Sequence, residues 1–428
     1  TGLKKSSATK NKLCITWLKS KTDSDLQRYK SYKNIFSNLV RQSKKNYYNN
    51  LFDREEQSTR NIWKELNKIC NTNKHSNSGN TIKEIHFNDK IITEPLEIAN
   101  TLNQYFVNVS SELVSKLPIN APDFTSFLAK PLANSFFYAE ITEPEISAEL
   151  KKLVSSKKAT IDGFSPTALV SIIDIISKPL AHLYNLSIHK GVFPRQLKLA
   201  KVIPIPKKGD KQLPSNYRPI SLLSIFHKLF EKLIVRRLLS FCNKYNLLYQ
   251  HQYGFRPHHS TVFALAEITD YLYESLDDGY HVLGIYLDVS KAFDTVNHSI
   301  LLSKLYNYGI RGSMHKWFNS YLSDRQQYVY INNVSSKTEI IHHGVPQGSC
   351  LGPLLFLLYI NDLPNAVVNS ETRLFADDAN QFMKNKNLID LKADCESTVL
   401  QVLNWMNSNK LTINHEKTKF SFFFIQRD

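Results

Sequence analysis

Three aspartates are the residues of this chain best suited to chemistry. Asp377 and Asp378 are adjacent in Leu374-Phe-Ala-Asp-Asp-Ala-Asn380, and Asp288 follows an apolar run that ends at Leu287. An Asp-Asp pair between short apolar runs usually marks only a hairpin turn. A second strand that brings another carboxylate to the same end of a sheet changes this interpretation, because such a set can hold two divalent cations about 4 Å apart. That arrangement is suited to nucleotidyl transfer.

The elements that must position these aspartates are predicted as strands. Residues 281–287 are rich in β-forming types and predict a strand with Asp288 at its end. Residues 372–376 and 379–383 predict two short strands, which makes the Asp-Asp dipeptide the tip of their hairpin. Unpaired carboxylates at such a tip repel each other, and Mg²⁺ removes the conflict because it prefers a few carboxylate oxygens plus phosphates and water.

The rest of the chain predicts an α+β protein with a helical N-terminal region. Residues 1–70 carry apolar positions at helical spacing, and residues 71–80 read as a polar linker. A short hairpin with Asn88-Asp89 at its tip and an amphipathic helix over residues 96–117 follow. From about residue 165 the pattern is mixed and dense, with a strand predicted over 200–206 and a helix over 221–241.

Composition narrows the class of protein. The 428 residues suffice for two or three units, and no apolar run approaches the roughly 20 residues that a membrane helix needs. The five cysteines are scattered without a Cys-x-x-Cys pair, which fits neither a zinc site nor a disulfide framework. Residues 1–80 carry 17 Lys and Arg against 6 Asp and Glu, whereas the other 348 residues carry 37 against 32. A concentrated basic arm is typical of a nucleic-acid partner, with a solvated helix surface as the alternative.

Six sequence blocks in a fixed order resemble a known family. Leu-Asp-Val-Ser-Lys-Ala-Phe-Asp-Thr-Val-Asn-His (287–298), Gly-Val-Pro-Gln-Gly-Ser-Cys-Leu-Gly-Pro (344–353) and Phe-Ala-Asp-Asp (375–378) resemble motifs A, B and C of reverse transcriptases. Residues 216–224 and 252–261 resemble finger motifs, and residues 411–419 resemble motif D. The likeness is to non-LTR (LINE-type, jockey-like) retrotransposons and covers roughly residues 85–428.

The resemblance implies a domain organisation. It implies a right-hand polymerase with fingers and an antiparallel palm sheet over residues 165–428. A helical N-terminal extension would precede it over residues 81–164, after a basic helical arm over residues 1–80. We expect a fragment without the family's endonuclease and thumb.

The resemblance also implies roles for individual residues. Asp288, Asp377 and Asp378 would bind two Mg²⁺ ions (Mn²⁺ being the substitute), and Lys417 would be a general acid for the leaving pyrophosphate. Lys207 and Arg218 would contact the triphosphate. Phe293 would contact the sugar and exclude a 2′-hydroxyl, and Gln347 and Gly348 would contact the new base pair. Arg256 would have a template or structural role.

The implied activity is RNA-directed DNA synthesis, with an RNA template, a DNA primer and dNTPs as partners, in the nucleus. A degenerate element that binds RNA without catalysis is the alternative from another class. A maturase-like or cellular reverse transcriptase is a rival within the class, and Phe293 and Ala376 disfavour a viral RNA replicase. Template specificity, target site, host and oligomeric state stay open.

Overall fold

The computed structural model describes residues 2–52, 82–118, 120–153, 161–207 and 209–424. The chain divides into two compact units, Thr1–Gly79 and Asn80–Asp428. The first unit contains the helices α1 (Gly2–Ser20) and α2 (Asp23–Phe52), which pack together as a hairpin with Trp17 stacked on Tyr29 at 5.9 Å between ring centroids. The polar linker predicted over residues 71–80 lies outside the described residues.

The second unit mixes helices and strands, which confirms the α+β class. Its described helices are α3 (Pro95–Ser115), α4 (Glu143–Leu153), α5 (Pro166–Ser171), α6 (Ile173–Lys190), α7 (Ile225–Lys244), α8 (Thr261–Asp277), α9 (Ala292–Thr295), α10 (His298–Asn307), α11 (Gly312–Leu322), α12 (Gly352–Ile360) and α13 (Leu388–Ser408). Its described strands are β1 (Ile85–Phe87), β2 (Lys90–Ile92), β3 (Leu199–Pro206), β4 (Tyr217–Leu222), β5 (His281–Leu287), β6 (Arg325–Ile331), β7 (Val334–Ser335), β8 (Glu339–Ile341), β9 (Glu371–Phe375), β10 (Asp378–Asn385) and β11 (Lys419–Phe423).

The described strands form three sheets. An antiparallel four-stranded sheet has the order β11-β5-β10-β9, and a five-stranded sheet has the order β4-β3-β6-β7 with β8 also paired to β6. The strands β3 and β6 run parallel, whereas the other pairs of that sheet are antiparallel. The hairpin β1-β2 forms a separate sheet with Asn88 and Asp89 at its tip, as the sequence predicted. Both of these residues have a positive φ.

Helices cover both faces of the four-stranded sheet. Tyr271 of α8 contacts Phe382 of β10 on one face, with 6.1 Å between ring centroids. The next residue, Met383, points to the opposite face and joins the main core, to which α13 contributes Trp405 and Val402. Because both faces are packed, the sheet is a rigid base for side chains at its end.

One predicted helix boundary was wrong. The helix expected over residues 221–241 begins only at Ile225, where the Ser224 hydroxyl caps the first turn by accepting a hydrogen bond from Phe226 N–H at 3.1 Å. Leu222 belongs instead to β4. Pro219 obscured this strand in the sequence, but proline is tolerated there because β4 is an edge strand.

The apolar helix α12 is held in place by a buried ion pair. The Lys304 ammonium of α10 donates to the Tyr359 carbonyl at 2.6 Å and to an Asp362 carboxylate oxygen at 2.5 Å, and both side chains are almost fully buried. Burial lowers the pKa of Lys304 to about 8, while the Asp362 charge opposes that fall. No helix in the described part of the chain is long and apolar enough to cross a membrane.

Replacing one partner of this ion pair should destabilise the protein more than replacing both partners by apolar residues. Asp362→Ala leaves an uncompensated ammonium in the core, and we expect a loss of about 3–5 kcal/mol in the free energy of unfolding. The double variant Lys304→Met with Asp362→Leu should recover most of that loss, because no buried charge remains. Urea unfolding of the three proteins measures both effects. A single variant no less stable than the double variant would contradict this account of the pair.

Candidate active site

Asp288 lies where β5 ends, as predicted. Its carbonyl accepts a hydrogen bond from Asn414 N–H at 2.8 Å, and Ser290 N–H donates to the Thr412 carbonyl at 2.8 Å. Residues 412–414 therefore run beside the segment that follows β5. This pairing brings the Lys417 ammonium to 3.3 Å from an Asp288 carboxylate oxygen. The Lys417 side chain is 67% exposed and the Asp288 side chain 29%, so both are open to a ligand.

Asp377 and Asp378 lie in and beside the turn between β9 and β10. Phe375 pairs with Asp378, so the two-residue turn is Ala376-Asp377 rather than the predicted Asp-Asp dipeptide. Ala376 has a φ of +57°, the sign that a type II′ hairpin turn requires at its first central residue. Asp378 is already the first residue of β10.

Strand register brings the three aspartates to one end of the sheet. The last pair between β10 and β5 is Ala379 with Leu287, and one step further along both strands lie Asp378 and Asp288. Asp288, Asp378 and Lys417 line a cleft of about 540 Å³, and Leu265 and Ile268 of α8 line it as well.

The site carries an electrostatic conflict between its carboxylates. Burial raises the pKa of Asp377, the Asp288 charge adds to the rise, and Lys417 and Arg218 oppose it. Burial also raises the pKa of Asp378, with further contributions from Asp377 and Asp288. In the described residues no group of three or more His, Cys, Asp or Glu side chains forms a ready-made metal site. The donor set nevertheless fits a hard divalent cation, because it consists of carboxylate oxygens that repel one another without a positive charge between them.

Basic side chains from several elements surround the carboxylates. Arg218 lies on β4, and its charge acts on both Asp377 and Lys207. Lys207 follows β3 directly, and burial lowers its pKa, as does the Arg218 charge. The charges of Arg218 and Lys417 therefore act both on Lys207 and on Asp377.

The sequence reasoning missed a fourth cation, Lys291. Its backbone is left-handed at φ +51°, and its ammonium lies 5.5 Å from the centre of the Tyr105 ring of α3. Burial lowers the pKa of Lys291 to about 8, as does the nearby Lys207 charge, whereas the Asp294 charge opposes the fall. The sequence alone did not single out Lys291, because its contact with Tyr105 joins residues that are far apart in the chain.

The loop over residues 344–352 is fixed by contacts within the protein. The Gln347 side-chain amide donates to an Asp294 carboxylate oxygen at 2.7 Å. The main-chain carbonyl of Gln347 accepts a hydrogen bond from Ser221 N–H at 2.7 Å. Gly348 has a φ of +113°, and a Cβ there would lie 2.7 Å from the Ser221 carbonyl oxygen. The glycine is therefore required by close approach of β4 itself, a constraint that the sequence had assigned to substrate.

Phe293 and Arg256 differ in what surrounds them. The Phe293 ring is half-buried, 4.8 Å from Phe356 and 6.1 Å from Phe255 between ring centroids. The Arg256 guanidinium donates to the Tyr249 carbonyl at 3.0 Å and also to the Gln250 and Gln252 carbonyls. Of the two roles considered for Arg256, these bonds favour the structural one.

Neutralising Asp377 should stabilise the metal-free protein. Its raised pKa means that the folded chain binds this proton more tightly than the unfolded chain, so stability falls as pH rises from the ordinary value through the raised one. Asp377→Asn removes this ionisation. We expect a higher melting temperature than wild type at pH 7 in EDTA, and no gain at roughly pH 4, where the unfolded carboxyl also takes up its proton. Thermal unfolding followed by circular dichroism measures the difference, and a gain independent of pH would contradict its electrostatic cause.

Comparison with known proteins identifies the family. The model of the family "Reverse transcriptase (RNA-dependent DNA polymerase)" matches residues 205–424. The chain is 32% identical over 305 residues to a probable RNA-directed DNA polymerase from transposon BS of Drosophila melanogaster, covering 68% of this chain and 33% of that protein. It is 28% identical over 329 residues to the RNA-directed DNA polymerase from mobile element jockey of the same species, covering 74% and 35%. The chain thus spans about a third of the length of these curated relatives. It belongs to the reverse transcriptase family, within the LINE-type group of non-LTR retrotransposons.

Proposed function

We propose that this chain is the polymerase part of a non-LTR retrotransposon protein and copies RNA into DNA by two-metal nucleotidyl transfer. The observation that carries the proposal is the convergence of Asp288, Asp377 and Asp378 at one end of a packed sheet, beside Lys207, Arg218 and Lys417. Family membership supports the same reaction. The partners are an RNA template, a DNA primer and dNTPs.

In this proposal the four-stranded sheet is the palm and the five-stranded sheet belongs to the fingers. The palm then supplies all three aspartates, and β3 and β4 supply Lys207 and Arg218. Residues 165–428 form the fingers and palm, and residues 81–164 form the N-terminal extension, whose helix α3 carries Tyr105 beside Lys291. The basic hairpin α1-α2 adds electrostatic affinity for RNA, since its described residues include many more Lys and Arg than Asp and Glu. We place the site of action in the nucleus, where chromosomal DNA would be the target.

The residues divide the chemistry between them. Asp288, Asp377 and Asp378 would hold two Mg²⁺ ions, with Mn²⁺ as an alternative. Bound there, the ions would lower the pKa of the primer 3′-hydroxyl and neutralise charge on the leaving pyrophosphate. Lys207 and Arg218 hold the triphosphate where negative charge develops, in a partly dry site. The Lys417 ammonium, which lies 3.3 Å from an Asp288 carboxylate oxygen, would protonate the leaving pyrophosphate.

Primer extension tests the proposal directly. With an RNA template, a DNA primer, Mg²⁺ and dNTPs we expect extension that Asp377→Ala reduces by at least roughly 10³-fold, because the residue is a metal ligand. The matched control is Glu396→Ala, which removes an exposed carboxylate on α13 and should change nothing. RNA binding without extension by the wild-type chain would instead support the non-catalytic alternative.

Substitution of Phe293 tests the sugar pocket. If the ring excludes the 2′-hydroxyl, Phe293→Ala should raise ribonucleotide incorporation relative to dNTP incorporation by roughly one to two orders of magnitude, the range that a steric change in a pocket usually produces. Phe356→Leu is the matched control, because it disturbs the packing under the Phe293 ring without removing that ring. Equal changes in both variants would show that packing, rather than the ring itself, sets the discrimination.

A further inference from the structure

The finger segment over residues 251–254 lies directly against the turn that carries the aspartate pair. Leu374 N–H of β9 donates to the His251 carbonyl at 2.9 Å, and Tyr253 N–H donates to the Leu374 carbonyl at 2.8 Å. Gln252 forms a parallel bridge with Leu374. The segment therefore runs along the outer edge of β9, next to the turn.

The Gln252 side chain reaches into the turn itself. It is 2% exposed, and its Oε1 accepts a hydrogen bond from Ala376 N–H at 2.9 Å and another from Gly254 N–H at 2.8 Å. Ala376 is the left-handed residue of the turn and is itself buried, 5% exposed. A buried amide without an acceptor is costly, so Gln252 supplies what this backbone conformation needs.

The contact has no room to adjust. A Cβ on Gly254 would lie 2.3 Å from the Ala376 backbone nitrogen, so only glycine allows the two backbones to approach this closely. On the other side, Arg256 donates to the carbonyls of Tyr249 and Gln252 and fixes the path of the segment. The acceptor oxygen of Gln252 is consequently held at one position relative to the turn.

We infer that Gln252 is a positioning residue that sets the Ala376-Asp377 turn, and with it the geometry in which Asp377 and Asp378 bind a divalent cation. This inference rests on the proposed function, because it assumes that the aspartates bind metal. Residues that orient metal ligands typically change metal affinity by 10- to 100-fold when they are removed. Gln252 touches neither the metal nor the substrate in this assignment.

The chain contains a matched control for Gln252. Gln381 of β10 is also fully buried, and its Oε1 also accepts two hydrogen bonds, from Thr372 Oγ1 at 2.8 Å and from Ser370 Oγ at 2.9 Å. In both glutamines the Nε2 atom is buried without a hydrogen-bond partner among the described residues. Gln381 lies in the same hairpin but contacts side chains rather than the turn.

The test is a titration of the full chain with Mn²⁺ in the absence of nucleic acid. Electron paramagnetic resonance measures the concentration of free Mn²⁺ and therefore the amount bound. The component that Asp377→Ala abolishes defines the site. Gln252→Met should weaken this component about tenfold, whereas Gln381→Met, at a similar loss of melting temperature, should weaken it less than about twofold. Gln252→Glu keeps an acceptor for both N–H groups and should bind within about threefold of wild type.

The outcomes separate the two proposals. Equal weakening by Gln252→Met and Gln381→Met, or no weakening by either, overturns the positioning role while leaving the metal site intact. Gln252→Glu as weak as Gln252→Met overturns it as well. If wild type has no Asp377-dependent Mn²⁺ binding, the proposed metal chemistry fails, and the inference fails with it. If Gln252→Met does not fold, Gln252→Asn withdraws the same oxygen by one methylene and is expected to weaken binding in the same direction.

Discussion

The antiparallel pairing of β10 with β5 is the interaction on which the rest of the site depends. Its register alone places Asp378 beside Asp288, and a shift of one residue would turn the side chains of β10 to the opposite face. Three carboxylates at one sheet end repel each other, so the pairing has to be held by something other than the site. Both faces of the sheet provide this, because α8 and α13 pack against opposite sides of β10 and β5.

The basic side chains of the site come from different elements than the carboxylates do. Lys207 and Arg218 come from the five-stranded sheet, Lys291 from the segment after β5, and Lys417 from the segment before β11. Burial of Lys207 and Lys291 lowers their pKa, so the charged form of each side chain is less favoured there than in water. A triphosphate would reverse that situation, because it supplies the opposite charge to several lysines at once. The carboxylates and the lysines are thus each unfavourable alone, and metal and nucleotide together would relieve both.

Much of this arrangement was readable from the sequence, and the failures have identifiable causes. The strand before Asp288 and the β1-β2 hairpin follow from local β-forming residues and turn chemistry, which act over a few residues. The roles of Lys291 and Gln252 could not be read in the same way, because their partners, Tyr105 and Ala376, are more than a hundred residues away. The glycine at position 348 was recognised as a place of close approach, but only the fold shows that β4 is what approaches.

The turn at Ala376 shows why such distant contacts matter. A left-handed conformation costs a residue with a Cβ roughly 1–2 kcal/mol, and glycine would avoid that cost. The turn has alanine at this position nevertheless, and the hydrogen bond from Ala376 N–H to the Gln252 side-chain oxygen offsets the cost from outside the hairpin. The geometry of the aspartate pair is therefore not a property of the hairpin alone. It depends on whether residues 251–254 are packed against β9, which links the position of that segment to the geometry of the aspartates.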